Sequence, residues 1–493
     1  MSDPSAMNIP VHTALTSDML YGLKPSAPKS RSYRISVAPM NKNIFTPGDQ
    51  MVFELPVGRR GTYLDQSQSF LKFSVQCSST AACAVGGNGI YTDNTAYSFI
   101  QRLDVWNSSN LLETLNEYGQ LCSFLIDTSL SQSDKAGLST MIGCNGTSVN
   151  MNGTGAALAQ YASTTAVQVP GDRSGFSMAS VINTSAISTA IPYTFCLPLL
   201  SGVVGVNSSK MLPVGKLFNP IRMEFYLAAN DDAIYYGSTG AGTVWQLVNV
   251  EFCACYVEIL DDALDPPLQQ DVTEYISTKT FRQSSTYMPT ATSGEFSCML
   301  PQRAASITAL YARFRNYGNA IQGDSTTAAY RKSASSSPSI SNYYFRIGSS
   351  IYPNKPVYLI NSNLTGTGAE GYAELMKTFH ALSSSIGNSA ITNAQYNVST
   401  TAASGFAAEF GVGQKAQGVR DTHNNAFAIG LECESFSNRS DTILSGISTL
   451  NSQIFFTANI LSGKTAAANF TIDFFAQMDC ILCLTNGVLS AKY

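Results

Sequence analysis

The chain carries one pair of phrases twice. GDQMVFELP begins at Gly48 and GEFSCMLP at Gly294. In each, a glycine and an acid lead into an apolar run that closes on Leu-Pro, and an arginine follows (Arg59, Arg303). The closing phrases echo too: VNVEFCACYVEIL (248–260) and ANFTIDFFAQMDCILCL (468–484). The offset is 245 residues at the front (Pro56 to Pro301) and 222 at the back (Phe252 to Phe474). Solenoid repeats recur every ~20–50 residues, far below this spacing. The pattern therefore predicts two similar domains in tandem, with the first half longer, chiefly between 128 and 190.

Period-2 alternation fills both halves. Leu71, Phe73 and Val75 alternate with Lys72, Ser74 and Gln76, and Ile221, Met223, Phe225 and Leu227 with Arg222, Glu224 and Tyr226. Tyr343, Phe345 and Ile347, then Phe470, Ile472 and Phe474, repeat it in the second half. Such alternation marks strands with one buried face, and many of them between Gly/Pro/Asn/Ser turns argue for β-sandwiches. Residues 248–257 are apolar on both faces and predict a central, covered strand. Two stretches, 111–127 and 370–382, place apolar residues at helical spacing: Leu112, Leu115, Tyr118, Cys122, Leu125, and Tyr372, Leu375, Met376, Phe379, Leu382. Each predicts a helix packed on its own half. Sparsely charged stretches at 128–190 and 383–418 read as ordered excursions on one face, because long loops in compact domains usually serve a purpose. Residues 1–32 read as an arm with a mildly basic end (Lys24, Lys29, Arg31), and Pro266-Pro267 marks a linker. The expected division is an arm at 1–32, a first sandwich at 33–262, a linker at 263–275 and a second sandwich at 276–493.

Charged residues make up only 13% of the 493, about half the usual ~25%. So little charge keeps a free monomer poorly soluble, and burial of surface in an oligomer resolves this. A net charge of −4 lacks the basic footprint of a general nucleic-acid binder. The first 20 residues have neither the basic nor the apolar region of a signal peptide. No window approaches the ~18 apolar residues of a membrane span; 197–206 comes nearest. The eleven cysteines are then expected as free, mostly buried thiols. Nine N-x-S/T sites (Asn107, Asn145, Asn152, Asn183, Asn207, Asn363, Asn397, Asn438, Asn469) read as chance in so polar a chain.

Chemistry-bearing residues form no constellation. His12, His380 and His423 have no second ligand at metal spacing, and Cys480-x-x-Cys483 lies in an apolar strand with only Cys253-x-Cys255 as an echo. A zinc site needs four ligands. Asp231-Asp232 and Asp261-Asp262 lack calcium-loop spacing. GVGQK (411–415) lacks the remaining glycines of a phosphate loop, and no G-x-S-x-G occurs. No catalytic, cofactor-binding or metal residues are assigned, and no enzyme activity is expected.

Several phrases, in order, resemble the major capsid proteins of double-jelly-roll DNA viruses, most of all those of Polinton-like viruses and virophages. They are GDQMVFELPVGRRGTYLDQSQSFLKFSV (48–75), RLDVWNSSNLLETLNEYGQL (102–121) and FCLPLLSGVVGVNSSKMLPVGKLFNPIRMEFYLA (195–228). In the second half they are FRIGSSIYPNKP with AELMKTFHAL (345–382), FAIGLECESF (427–436), LSGIST (444–449) and DCILCLTNGVL (479–489). The resemblance implies two tandem eight-stranded antiparallel jelly rolls, all-β apart from short helices in loops. It implies a homotrimer of pseudo-hexagonal outline that packs against neighbouring capsomers, penton and minor capsid proteins in an icosahedral shell. It places the arm inside, near genome or an internal membrane, and the protein in the virion, assembled in the host cell without secretion. The reading from another class is a two-domain β-sandwich binding protein, lectin- or adhesin-like. Such a site favours clustered Trp and Tyr with acids on one surface, and only two tryptophans, Trp106 and Trp245, are present. A β-sandwich hydrolase needs a paired acid or a Ser-His set that is missing.

Overall fold

The computed structural model describes residues 29–78, 90–144, 192–236, 244–260, 274–289, 294–317, 332–359, 368–379, 389–391, 426–434, 444–460 and 469–493, with 187 and 396 and without 209, 334, 336 and 339. The N-terminal arm to residue 28, the Pro-Pro linker, residues 411–415, all three histidines and most of both sparsely charged excursions lie outside these residues.

The first half supplies β1 (Ser30–Val37), β2 (Gln50–Leu55), β3 (Thr62–Ser78), β4 (Ile90–Thr92), β5 (Ile100–Asn107) and β6 (Asn110–Asn116). After α1 (Tyr118–Ser129), α2 (Gln132–Gly137) and α3 (Ser139–Ile142) come β7 (Tyr193–Pro198), β8 (Ile221–Leu227), α4 (Asn230–Ala233), β9 (Ile234–Tyr236) and β10 (Val244–Ile259). The second half runs β11 (Glu274–Met288), β12 (Gly294–Leu300), β13 (Ile307–Tyr317), β14 (Ile340–Ile347), β15 (Ser350–Tyr358), α5 (Ala369–Lys377), β16 (Ala428–Glu432), β17 (Ile454–Ile460), β18 (Asn469–Thr485) and β19 (Val488–Lys492).

Four antiparallel sheets result, ordered β1-β10-β3-β7 and β2-β8-β5-β6, then β11-β18-β13-β16 and β12-β17-β14-β15. The second pair reproduces the first, strand for strand. Each pair is a jelly roll: two four-stranded sheets whose first and last long strands are neighbours. β4 pairs β9, and β19 extends β18. The repeated GD/GE phrase is the second strand of each sandwich, β2 or β12, rather than its opening strand. Gly48 and Gly294 both hold φ near +80° with open space around the missing Cβ, so backbone conformation demands glycine at both sites.

The alternating residues face inward as expected. Leu71, Phe73 and Val75, and Met223 and Phe225, are fully buried, as are Tyr343, Phe345, Phe470 and Ile472. In the first core, Phe53 meets Phe225 edge-on at 5.7 Å and Phe99 meets Trp245 at 4.9 Å. In the second, Phe456 lies 5.1 Å from Phe345 and 5.3 Å from Phe474. β10 is central, paired with β1 and β3.

The stretch 111–127 is only partly helical. Leu112 and Leu115 belong to strand β6, and α1 begins at Tyr118. The pairing of β5 with β6 skips Leu112. Such a bulge breaks the period of two and lets residues three apart both be buried.

Gly48→Ala and Gly294→Ala should each cost about 1–2 kcal/mol, the penalty of a left-handed conformation for a residue with Cβ. Gly137→Ala, in a helix with open space, should be neutral or stabilising by up to ~1 kcal/mol. Urea unfolding midpoints of the three variants check this.

Candidate assembly surface and the seam between the sandwiches

Helix α1 reaches from the first half onto the outward face of sheet β11-β18-β13-β16, beside α5, whose end lies against Gly430 of β16. Phe124 of α1 packs edge-on against Tyr311 of β13 at 5.3 Å and against Phe379 at 5.9 Å. Arg313, 1% exposed, stacks over Phe124 at 5.6 Å and donates to the Gln120 carbonyl at 3.2 Å. Asp473 and Phe475 of β18 are fully buried on the same face. Asp473 pairs with Arg315 and accepts from Ser285 Oγ at 2.7 Å.

Polar groups complete the seam. Glu113 of β6 accepts from Ser201 Oγ, from the Gly202 N–H at 3.0 Å and from Thr280 Oγ1 of β11 at 2.5 Å. Burial pushes its carboxyl above the ordinary 4.5, against the downward pull of those hydrogen bonds. Lys332 reaches Asp232 at 2.9 Å and Glu117 at 3.1 Å. Burial alone would lower this ammonium, but the two acids outweigh it and hold it above its usual value. Strand β19 stitches the far side: the Leu489 N–H donates to Asn107 Oδ1 at 2.9 Å, and Tyr493 donates to the Leu112 carbonyl.

The equivalent face of the first sandwich is open. Aligning Phe252 with Phe474 sets Lys72 opposite Glu251 where the second sandwich has Arg313 opposite Asp473. It also sets Phe70 opposite Cys253 where the second has Tyr311 opposite Phe475. The Lys72 and Glu251 side chains are 34% and 26% exposed, whereas Arg313 and Asp473 are at most 1% exposed. On the edge strand β1, Ser32, Arg34 and Ser36 are exposed. Arg34 lies over this face, donating to Cys253 Sγ at 2.9 Å and stacking on Phe70 at 4.9 Å.

The residues weighed for chemistry are not gathered into a site. Cys480 and Cys483 are buried in β18, and burial pushes the Cys480 thiol up to about 12. Cys253 and Cys255 lie on β10, in the other sandwich. The described cysteines are all free. Asp232 is a seam residue, and Asp261-Asp262 lie outside the described residues. Among the described residues no three His, Cys, Asp or Glu side chains come together around one metal position. Trp245 is in the core, and Trp106 is half-buried on β5 beneath Arg222. Asn107 is fully buried with both amide atoms engaged, which closes that N-x-S site to a glycan. No described helix is long and apolar enough to cross a membrane.

The sequence matches no family model and no curated protein. Its fold does match solved structures. A chain of the Sputnik virophage structure is 12% identical with a TM-score of 0.56, covering 97% of this chain and 91% of that one. The mavirus major capsid protein is 11% identical with a TM-score of 0.53, covering 100% and 95%. The Faustovirus major capsid protein is 8% identical with a TM-score of 0.56, covering 96% and 93%.

Glu113 sits at the centre of the seam and supplies a pH test. Its proton is held more tightly in the folded than in the unfolded chain. Its contribution to stability is therefore fully present below 4.5 and is lost as pH rises through the folded value. Wild type should lose stability relative to Glu113→Gln as pH is raised from 4.5 towards 7, read by urea unfolding at each pH. Parallel curves would show that Glu113 is not desolvated.

Matched end to end with these structures, the chain has the double-jelly-roll fold of viral major capsid proteins.

Proposed function

We propose that this protein is a major capsid protein that trimerises and tiles the shell of a DNA virus. One observation carries the proposal. A face buried within the chain by α1 and α5 has a counterpart, on β1, β10, β3 and β7, whose Lys72 and Glu251 stay partly exposed. Repetition of the same contact from chain to chain, a second half against the next chain's first half, would cover that counterpart. Such head-to-tail contacts between unlike surfaces close into rings. Three chains place six similar sandwiches around one axis, which gives the pseudo-hexagonal outline that packs into a sheet. The low charge of the chain fits a molecule buried on its sides. In this reading 33–262 and 276–493 are the two upright units and 263–275 joins them. The arm at 1–32 serves the inner side, toward genome, membrane or minor proteins, and the protein resides in the virion.

Three chains of 52.7 kDa form a particle of about 158 kDa, which light scattering after size exclusion should report. Lys72→Glu sets two carboxylates against each other on the open face. Burying two uncompensated carboxylates beneath a neighbouring chain costs several kcal/mol in desolvation, so trimer affinity should fall at least tenfold. The folded monomer should change by no more than ~1 kcal/mol, the worth of an exposed ion pair. A wild type that stays monomeric at high concentration would refute the reading, as would a trimer indifferent to Lys72→Glu.

A further inference from the structure

Three residues that play no part in the proposed assembly contacts meet in the interior of the first half. Asn94 follows β4 in a turn, Asp127 lies in the last turn of α1, and Lys135 is on α2. They are 0%, 2% and 1% exposed. Lys135 Nζ donates to Asn94 Oδ1 at 2.7 Å and to Asp127 Oδ1 at 2.7 Å. Asn94 Nδ2 donates to Asp127 Oδ2 at 3.1 Å. An amine, a carboxamide and a carboxylate that touches both are thus held together away from water. Asn94 is held there in a left-handed conformation, φ +68°, which non-glycine residues seldom adopt.

We propose that Lys135 and Asn94 become joined by an intramolecular isopeptide bond, with Asp127 carrying the protons. An amine hydrogen-bonded to an amide oxygen sits near the roughly 3–3.5 Å from which attack on the carbonyl carbon begins. Transfer of one proton from Lys135 Nζ to Asp127 leaves a neutral amine and a neutral acid. The Nζ lone pair then attacks Cγ of Asn94, and the carbonyl π pair moves onto Oδ1. Asp127 gives its proton to Nδ2 and takes one from Nζ. As the carbonyl re-forms, the Cγ–Nδ2 bond breaks and ammonia leaves. The product is a secondary amide beside a protonated Asp127, with no oxidant and no net change of charge. It also removes a buried ion pair, whose desolvation is a standing cost.

The bond would tie the turn at Asn94 to α2, 41 residues further along. Between them runs α1, whose Phe124 packs on Tyr311 of the second sandwich. The Asp127 carbonyl also accepts from the Ala390 N–H at 2.9 Å and from Ser389 Oγ at 3.2 Å. The cross-link would therefore lock α1 at the seam.

Mass spectrometry of the full-length, denatured protein tests this directly. The expected intact mass is below the sequence mass by one ammonia. A tryptic digest should contain a branched peptide joining the Asn94 and Lys135 segments, with no cleavage after Lys135. Lys135→Arg and Asp127→Asn should both restore linear peptides. Asn94→Asp should keep the branch but lose water instead of ammonia. A wild-type protein of full sequence mass, cleaved normally after Lys135, would overturn the proposal and leave an ordinary buried ion pair. So would ammonia loss that persists in Lys135→Arg. The wild-type spectrum decides the matter even where a variant fails to fold.

Discussion

The join between the two halves depends on the burial of one sheet face, beneath α1 from the first half and α5 from the second. Phe124, Tyr311 and Phe379 form an aromatic cluster across the seam, and Arg313 lies over it with Asp473 and Phe475 alongside. A sandwich needs only its inner faces covered to be stable. Covering an outer face as well fixes the second sandwich against the first. Arg313 and Asp473 share one ladder position and are almost fully buried. Each is satisfied by named partners, as buried charge requires. Arg313 also donates across the seam to the Gln120 carbonyl, so parting the halves would take that hydrogen bond from a buried guanidinium.

Duplication makes that arrangement informative. The two halves match in sheet order, in the glycine that opens the second strand, and in a charged pair at the same register. They differ in what lies outside: one face is closed and its copy is open. An open copy of a closed face is a physical reason to expect a neighbour, independent of likeness to any other protein. Fold likeness at 8–12% identity adds the architecture alone.

Much of the fold was legible in the sequence because strand period and burial coincide. Residues 71–76 and 221–227 alternate cleanly since one face meets the core and the other does not. The α5 stripe was legible for the same reason, with Leu375 and Met376 buried and Phe379 packed just beyond the helix. The start of α1 was not. Its first cap residue, Glu117, is left-handed and makes no side-chain cap, so the usual start signal is missing, and the bulge at Leu112 imitates helical spacing. The seam was invisible for a different reason. Glu113 and Thr280 are 167 residues apart, and no local pattern marks an acid that will be buried by a distant strand. Nor did a lysine in the short segment after α1 announce that it lies against an asparagine 41 positions earlier.

The central claim is that the packing between the two halves recurs between chains. A cryo-EM reconstruction of the purified assembly measures this most directly. Three chains are expected around one axis, with the Lys72–Glu251 face of each first sandwich covered by the second sandwich of its neighbour. A reconstruction in which that face lies in solvent, or meets its own copy across a two-fold axis, would contradict it.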